Sequence, residues 1–278
     1  MLLPPAVLLP ASTILKRNNV RLFGTGDAVI MLCNGFGCDQ HIWNRLTAAL
    51  ATRYRLVVFD YVGSGGSDLT AYTPERYATL GGYVQDVVDI CQALQLRDVI
   101  LVGHSIGASI AFLATIAAPS HFSHLIALAA SPHFLIEQDY YGGFSREDVT
   151  QLLDLMKGDH DSWANLFCAL FLGYDKDAVL AKELAQHFCN TDSAIAQQFA
   201  HLTFLSDCRA ALSQVTLPTL LVQCSQDLAA PVEVGAFLLA HLPQATLVTL
   251  DTTGHCPHLS APRETLAAMD AFLARTSQ

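Results

Sequence analysis

Gly103-His104-Ser105-Ile106-Gly107 is a G-x-S-x-G pentapeptide, and its serine is the residue of this chain best placed to act as a nucleophile. It lies between an apolar, strand-like run, Asp98–Val102, and a helical run, Ala108–Ala118, which is the context this motif requires. A strand turning abruptly into a helix crowds the backbone, so small residues must stand two before and two after Ser105. The turn presents the hydroxyl at a helix N-terminus, where developing negative charge is favoured. A serine hydroxyl is a weak nucleophile until a base removes its proton. In such a chain the order is Ser, acid, His. Of the 11 histidines, His255 in Thr253-Gly254-His255 follows a strand-like run and is the best base, with His258 as the alternative. His104 is expected to point away from Ser105 across the turn. Asp227, just beyond the run Pro218–Cys224, is the expected acid, and Asp251 competes with it. An oxyanion needs two backbone N–H donors. Ile106 supplies one, and Phe36 in the loop Asn34-Gly35-Phe36-Gly37 supplies the other. Together these groups could perform acyl transfer at a carbonyl carbon, with no cofactor. The run His255-Cys256-Pro257-His258 has metal-ligand residue types, but Pro257 breaks helical spacing and no metal is expected. Gly63-Ser64-Gly65-Gly66-Ser67-Asp68 matches neither phosphate-binding pattern and reads as a structural turn.

These residues need strands to carry them. Nearly continuous apolar runs occur at Ala28–Cys33, Arg55–Asp60, Asp98–Val102, His124–Ala129, Pro218–Cys224 and Ala245–Leu250. Runs without polar alternation are strands covered on both faces. Helical patterns at Pro74–Leu96, Pro231–Leu242 and Ala261–Ala274 lie between them, which predicts an α/β protein with a mostly parallel, doubly wound sheet. From His133 to about Ser213 no strand is evident. Helix-like stretches run near Ser145–Lys157, Asp161–Leu172, Asp175–Phe188 and Ser193–Leu212. The expected organisation is a loose N-terminal arm at 1–16, a core at 17–132 and 214–278, and a helical lid at 133–213. Aromatic residues concentrate in that lid, and an apolar chamber over Ser105 is the simplest thing for it to cover.

Composition bounds the partners. There are 15 Lys+Arg and 25 Asp+Glu, a formal net charge of −10, and only 14% of residues are charged. This excludes disorder and disfavours nucleic acid, which needs clustered cations. No uninterrupted apolar stretch of about 18–20 residues marks a membrane span. Eight cysteines without a C-x-x-C pair, several inside apolar runs, suit a reducing, cytoplasmic setting.

The residues also resemble a family. Asn34-Gly35-Phe36-Gly37-Cys38-Asp39-Gln40 with Trp43, Phe59-Asp60-Tyr61-Val62-Gly63-Ser64-Gly65, Gly103–Gly107, Tyr141-Gly142-Gly143-Phe144, Ser206-Asp207, Asp227-Leu228-Ala229 and Gly254–Ser260 carry the likeness. The chain is similar to α/β-hydrolases of the group holding the bacterial stress sigma factor B regulator hydrolase and the plant karrikin and strigolactone receptors. One departure is Asn34, where the plant receptors carry His. The resemblance implies a Ser105–His255–Asp227 triad and a four-helix lid. It also implies a hydrophobic pocket lined by Phe36, Phe134, Phe144, Trp163, Phe167 and Phe204. The implied substrate is a small apolar ester or butenolide-type lactone. A second implication, from a different class, is a small-molecule sensor with slow hydrolysis and a regulatory phosphatase as protein partner. A third keeps the triad but cleaves a carbon–carbon bond. An elbow aspartate, which dehalogenases and epoxide hydrolases use, is absent here.

Overall fold

The computed structural model describes residues 9–158, 160–172, 184 and 192–276. Its centre is a seven-stranded sheet: β1 (Arg21–Phe23), β2 (Val29–Cys33), β3 (Arg55–Val58), β4 (Val99–His104), β5 (Phe122–Leu128), β8 (Thr219–Gln226) and β9 (Ala245–Thr253). The spatial order is β1-β3-β2-β4-β5-β8-β9. β1 alone runs antiparallel, against β3. All five residues of β2 and all six of β4 are buried, as expected of strands sandwiched between helix layers. Cys33 pairs with Gly103 and His104 with Leu128, so β2, β4 and β5 end level with one another. The loops after β2, β4, β8 and β9 thereby share the carboxyl edge of the sheet, where open α/β sheets bind ligands.

The α-helices bounded within the described residues are α1 (Ala11–Arg17), α2 (Asn44–Leu50), α3 (Leu80–Ala93), α4 (Ile106–Ala117), α5 (Arg146–Gly158), α6 (His160–Leu172), α7 (Ser193–Leu205), α8 (Val232–His241), α9 (Pro257–Ser260) and α10 (Pro262–Thr276). α4, apolar on nearly every face, is buried from Ile106 to Phe112. α5, α6 and α7 fall in the segment read as a lid. The stretch Asp175–Phe188 lies outside the described residues apart from Leu184.

Four local readings change. Residues 11–16 of the expected loose arm belong to α1, which runs on to Arg17, because Ile14 and Arg17 are buried. The helix expected from Pro74 begins only at Leu80, where Thr79 is extended and its Oγ1 accepts the Gly81 N–H. The helix expected to reach Leu212 stops at Leu205, because Asp207 takes the Arg209 N–H in a local turn that competes with helix. A short antiparallel hairpin, β6 (Ile136–Glu137) with β7 (Tyr140–Tyr141), also occupies a segment that showed no strand. Two-residue strands are too brief to leave a period in the sequence.

The docking of α1 depends on buried charge. Arg17 lies 3.0 Å from both Asp86 and Asp89, while Arg76, Asn18 and the Tyr77 hydroxyl also donate to Asp86. Arg17 is 5% and Asp86 0% exposed. Removing Asp86 leaves the buried Arg17 with Asp89 alone and takes an acceptor from Arg76, Asn18 and Tyr77. Asp86→Ala is therefore expected to destabilise the fold by about 3–5 kcal/mol. The paired change Arg17→Met with Asp86→Leu should cost much less. Urea unfolding of the two variants checks this, and equal losses would refute it.

Candidate active site

Ser105 sits between β4 and α4 with φ 56° and ψ −125°, a positive φ on a residue that carries a Cβ. That strained conformation projects the side chain from the turn. The two flanking glycines are where the backbone comes closest. A Cβ on Gly103 would meet the Gly107 carbonyl and Ala108, and one on Gly107 would overlap the carbonyls of Cys33 and Asn34. The absence of both side chains lets the elbow helix press against the loop after β2.

Ser105 Oγ–H donates to His255 Nε2 over 2.7 Å, and His255 Nδ1–H donates to Asp227 Oδ2 over 2.8 Å. All three residues are buried. Asp227 Oδ1 accepts the N–H groups of Ala229 and Ala230, so both carboxylate oxygens are engaged. A carboxylate only accepts, which fixes the His255 tautomer with its proton on Nδ1 and its lone pair facing Ser105. The alternative acid, Asp251, is exposed and accepts from Ser225 Oγ.

His255 is also held by its peptide. Its N–H donates to the carbonyl of Phe171 near the end of α6, and the Phe171 ring stands edge-on to the imidazole at 4.6 Å. A Cβ on Gly254, which has φ +97°, would lie 2.8 Å from the Phe171 and Leu172 carbonyls. Phe171 had given no sign of this in the sequence, since the contact is tertiary.

Of the proposed oxyanion donors, the Ile106 N–H is the first of α4 and has no acceptor within its own helix. Phe36 lies in a turn closed by the Cys38 N–H on the Gly35 carbonyl. Asn34, the departure noted above, is fully buried. Its amide donates to the Phe59 carbonyl and accepts the Trp43 indole N–H, so it ties the loops after β2 and β3 to the turn carrying Trp43. In the loop containing Gly63–Asp68, the Gly66 N–H donates to Asp60, whose carboxylate also accepts from Gln40 and Asn19. A turn so engaged internally is structural.

The six expected pocket rings belong to one cluster. Phe36 meets Trp163, Phe167 and Phe204 edge-on at 5.9, 5.7 and 6.4 Å, and Phe204 meets Phe134 and Phe144 at 5.9 and 5.6 Å. The rings pack against one another through Phe36 and Phe204. A cavity of about 20 Å³, near the size of one water, lies beside Phe36, lined by Tyr61, Val62, Trp163, Ile195 and Phe199 among others. Phe199 and Tyr61 escaped notice because a buried ring and a lining ring have the same sequence spacing.

His258, the alternative base, is packed between Trp43 (4.7 Å) and His104 (4.5 Å). Burial, and then the facing His255 imidazole, push its pKa down to about 3. In the unfolded chain an imidazole takes up its proton near ~6.5. Between these values the unfolded state binds the extra proton, so stability is lost as pH falls from ~6.5 towards 3. The loss should reach roughly 2 kcal/mol by pH 5 from this residue alone. His258→Leu should flatten the slope of unfolding free energy against pH; an unchanged slope would refute the assignment.

The model of the alpha/beta hydrolase family matches residues 30–269. The karrikin insensitive 2 receptor CA of Petunia hybrida is 38% identical over 248 residues, 89% of this chain and 92% of that protein. A probable esterase of Oryza sativa subsp. japonica is 40% identical over 249 residues, with 89% and 92% covered. A solved hydrolase from Oleispira antarctica superposes with a TM-score of 0.93 at 35% identity, covering 96% of this chain and 98% of that one. Among the described residues no helix is long and apolar enough to cross a membrane. The sheet order, the strand-end loops that carry Ser105, Asp227 and His255, and the family match over most of its length make this chain a member of the alpha/beta hydrolase family.

Proposed function

We propose that the chain is a serine hydrolase that opens a small apolar ester or butenolide-type lactone through an acyl-enzyme. The observation that carries this is the unbroken chain of hydrogen bonds Ser105–His255–Asp227 at 2.7 and 2.8 Å. His255 takes the Ser105 proton as Oγ attacks the carbonyl carbon. The resulting oxyanion is met by the N–H groups of Ile106 and Phe36. His255 then returns its proton to the departing alkoxide, which in a lactone stays tethered to the acyl group. Water, activated by the same imidazole, cleaves the acyl-enzyme. Asp227 holds the tautomer and stabilises the imidazolium. The ring cluster around Phe36, with Phe134, Phe144, Trp163, Phe167 and Phe204, supports an apolar substrate. All cysteines among the described residues are free thiols, which suits a reducing cytoplasm.

In a second reading the site senses a ligand and turns it over slowly. The petunia relative is named a receptor. A protein partner such as a phosphatase belongs to this second reading. Intact-mass spectrometry after mixing with a p-nitrophenyl ester or a synthetic butenolide separates the two. Rapid turnover with a transient acyl mass on Ser105 is expected for the hydrolase. A long-lived adduct with turnover below about one per minute would favour the sensor. No adduct and no turnover would sink both.

A further inference from the structure

His104 takes no part in the proton transfers above, yet it touches the base. It ends β4, is 2% exposed, and its Nε2 lies 2.8 Å from the carbonyl oxygen of His255. A carbonyl only accepts, so Nε2 carries the hydrogen. Burial, with the imidazoles of His258 and His255 facing it, lowers the His104 pKa well below the usual imidazole range. The ring is therefore a neutral donor. It is also tightly placed: a Cβ on Gly35 would lie 2.5 Å from Nδ1, and the His258 ring stands across it at 4.5 Å and 61°. The oxyanion loop, β4 and α9 thus aim one N–H at one carbonyl.

The peptide of His255 is consequently gripped at both ends. Its N–H is held by the Phe171 carbonyl of α6, and its carbonyl is held by His104 from the sheet. This matters because His255 follows Gly254 in a loop with a positive φ. A base displaced by about 1 Å costs on the order of 10²-fold in rate.

We propose that His104 is a positioning residue for His255, its Nε2–H fixing the backbone of the base so that the imidazole stays between Ser105 and Asp227. This rests on the hydrolase reading given above. Glutamine places an amide nitrogen close to where His104 Nε2 lies, and asparagine places one close to Nδ1. On a p-nitrophenyl ester, His104→Asn and His104→Leu are expected to lower kcat by about 10–100-fold with KM within about twofold. His104→Gln should recover most of that loss. The rate at which a fluorophosphonate labels Ser105 should follow kcat in all three. If Gln and Asn variants of equal thermal stability are equally impaired, or if all three stay within about twofold of wild type, the proposal is wrong. A test that needs no variant is nitrogen-15 NMR of labelled histidine in the wild-type chain. An Nε2–H tautomer for His104 at pH 7 is expected, and an Nδ1–H tautomer or an imidazolium would overturn the proposal. A wild-type chain that neither turns over the ester nor reacts at Ser105 overturns the hydrolase reading itself, and this proposal with it.

Discussion

Ser105→Ala is expected to lower kcat on a p-nitrophenyl ester by roughly 10⁴–10⁶-fold while leaving fold and ligand affinity in place. The size follows from the way the three groups act as a unit: without Oγ there is no acyl-enzyme, and His255 has nothing to deprotonate but water. The oxyanion donors survive, because they are backbone N–H groups, so the residual rate should still exceed the uncatalysed one. The fold should survive too. The Ser105 N–H bonds the Leu128 carbonyl, and the Ala108 N–H bonds the Ser105 carbonyl; neither involves the side chain. Alanine keeps a Cβ at φ 56°, so the strain of the turn remains. Glycine would relieve it. Ser105→Gly should be equally inactive and more stable by about 1 kcal/mol, the mark of strain held at a functional turn. Steady-state kinetics and urea unfolding of both variants check this. More than about a tenth of wild-type activity in Ser105→Ala would refute the nucleophile assignment.

Much of this was legible beforehand, for mechanical reasons. The runs that became β2, β4 and β8 are covered on both faces, so their apolar character is continuous and easily read. The elbow was legible because Gly103 and Gly107 leave the space that neighbouring carbonyls occupy. What escaped were features whose cause lies in distant parts of the chain. α1 is held by the pairing of Arg17 with Asp86 on α3, and nothing in the local sequence names that partner. β1 has three residues and half-exposed character, too little for a period. Asp227 and Asp251 both follow or end a strand at the same edge, and only side-chain direction separates them. His104 was expected to face away from Ser105, and its contact with the His255 carbonyl depends on how β4 and the loop after β9 meet. The apolar lid was anticipated as the wall of a chamber. In the described residues its rings meet around Phe36, contacts between distant segments that spacing alone does not reveal.

Asp227→Asn tests the other end of the hydrogen-bonded chain, and its expected effect is nearly as large, a fall in kcat of about 10⁴-fold. The argument turns on how the carboxylate is surrounded. Oδ1 accepts two backbone N–H groups, from Ala229 and Ala230. An asparagine must keep its carbonyl oxygen there, since an NH₂ group facing two donors would leave all of them unpaired. Its NH₂ then takes the place of Oδ2 and points at His255 Nδ1, which must become the acceptor. The imidazole proton moves to Nε2, the atom that faces Ser105 over 2.7 Å. The base is then in its place but in the wrong tautomer, unable to take a proton from Oγ. Stability should change little, because the two backbone donors stay satisfied. Asp227→Ala, by contrast, should lose stability by about 1–3 kcal/mol, through the two N–H groups it leaves buried and unpaired. Nitrogen-15 NMR of labelled histidine should find the His255 proton on Nδ1 in the wild-type chain and on Nε2 in Asp227→Asn. If Asp227→Asn kept its Nδ1–H, or retained more than about a tenth of wild-type kcat, Asp227 would not be the residue that orients the base.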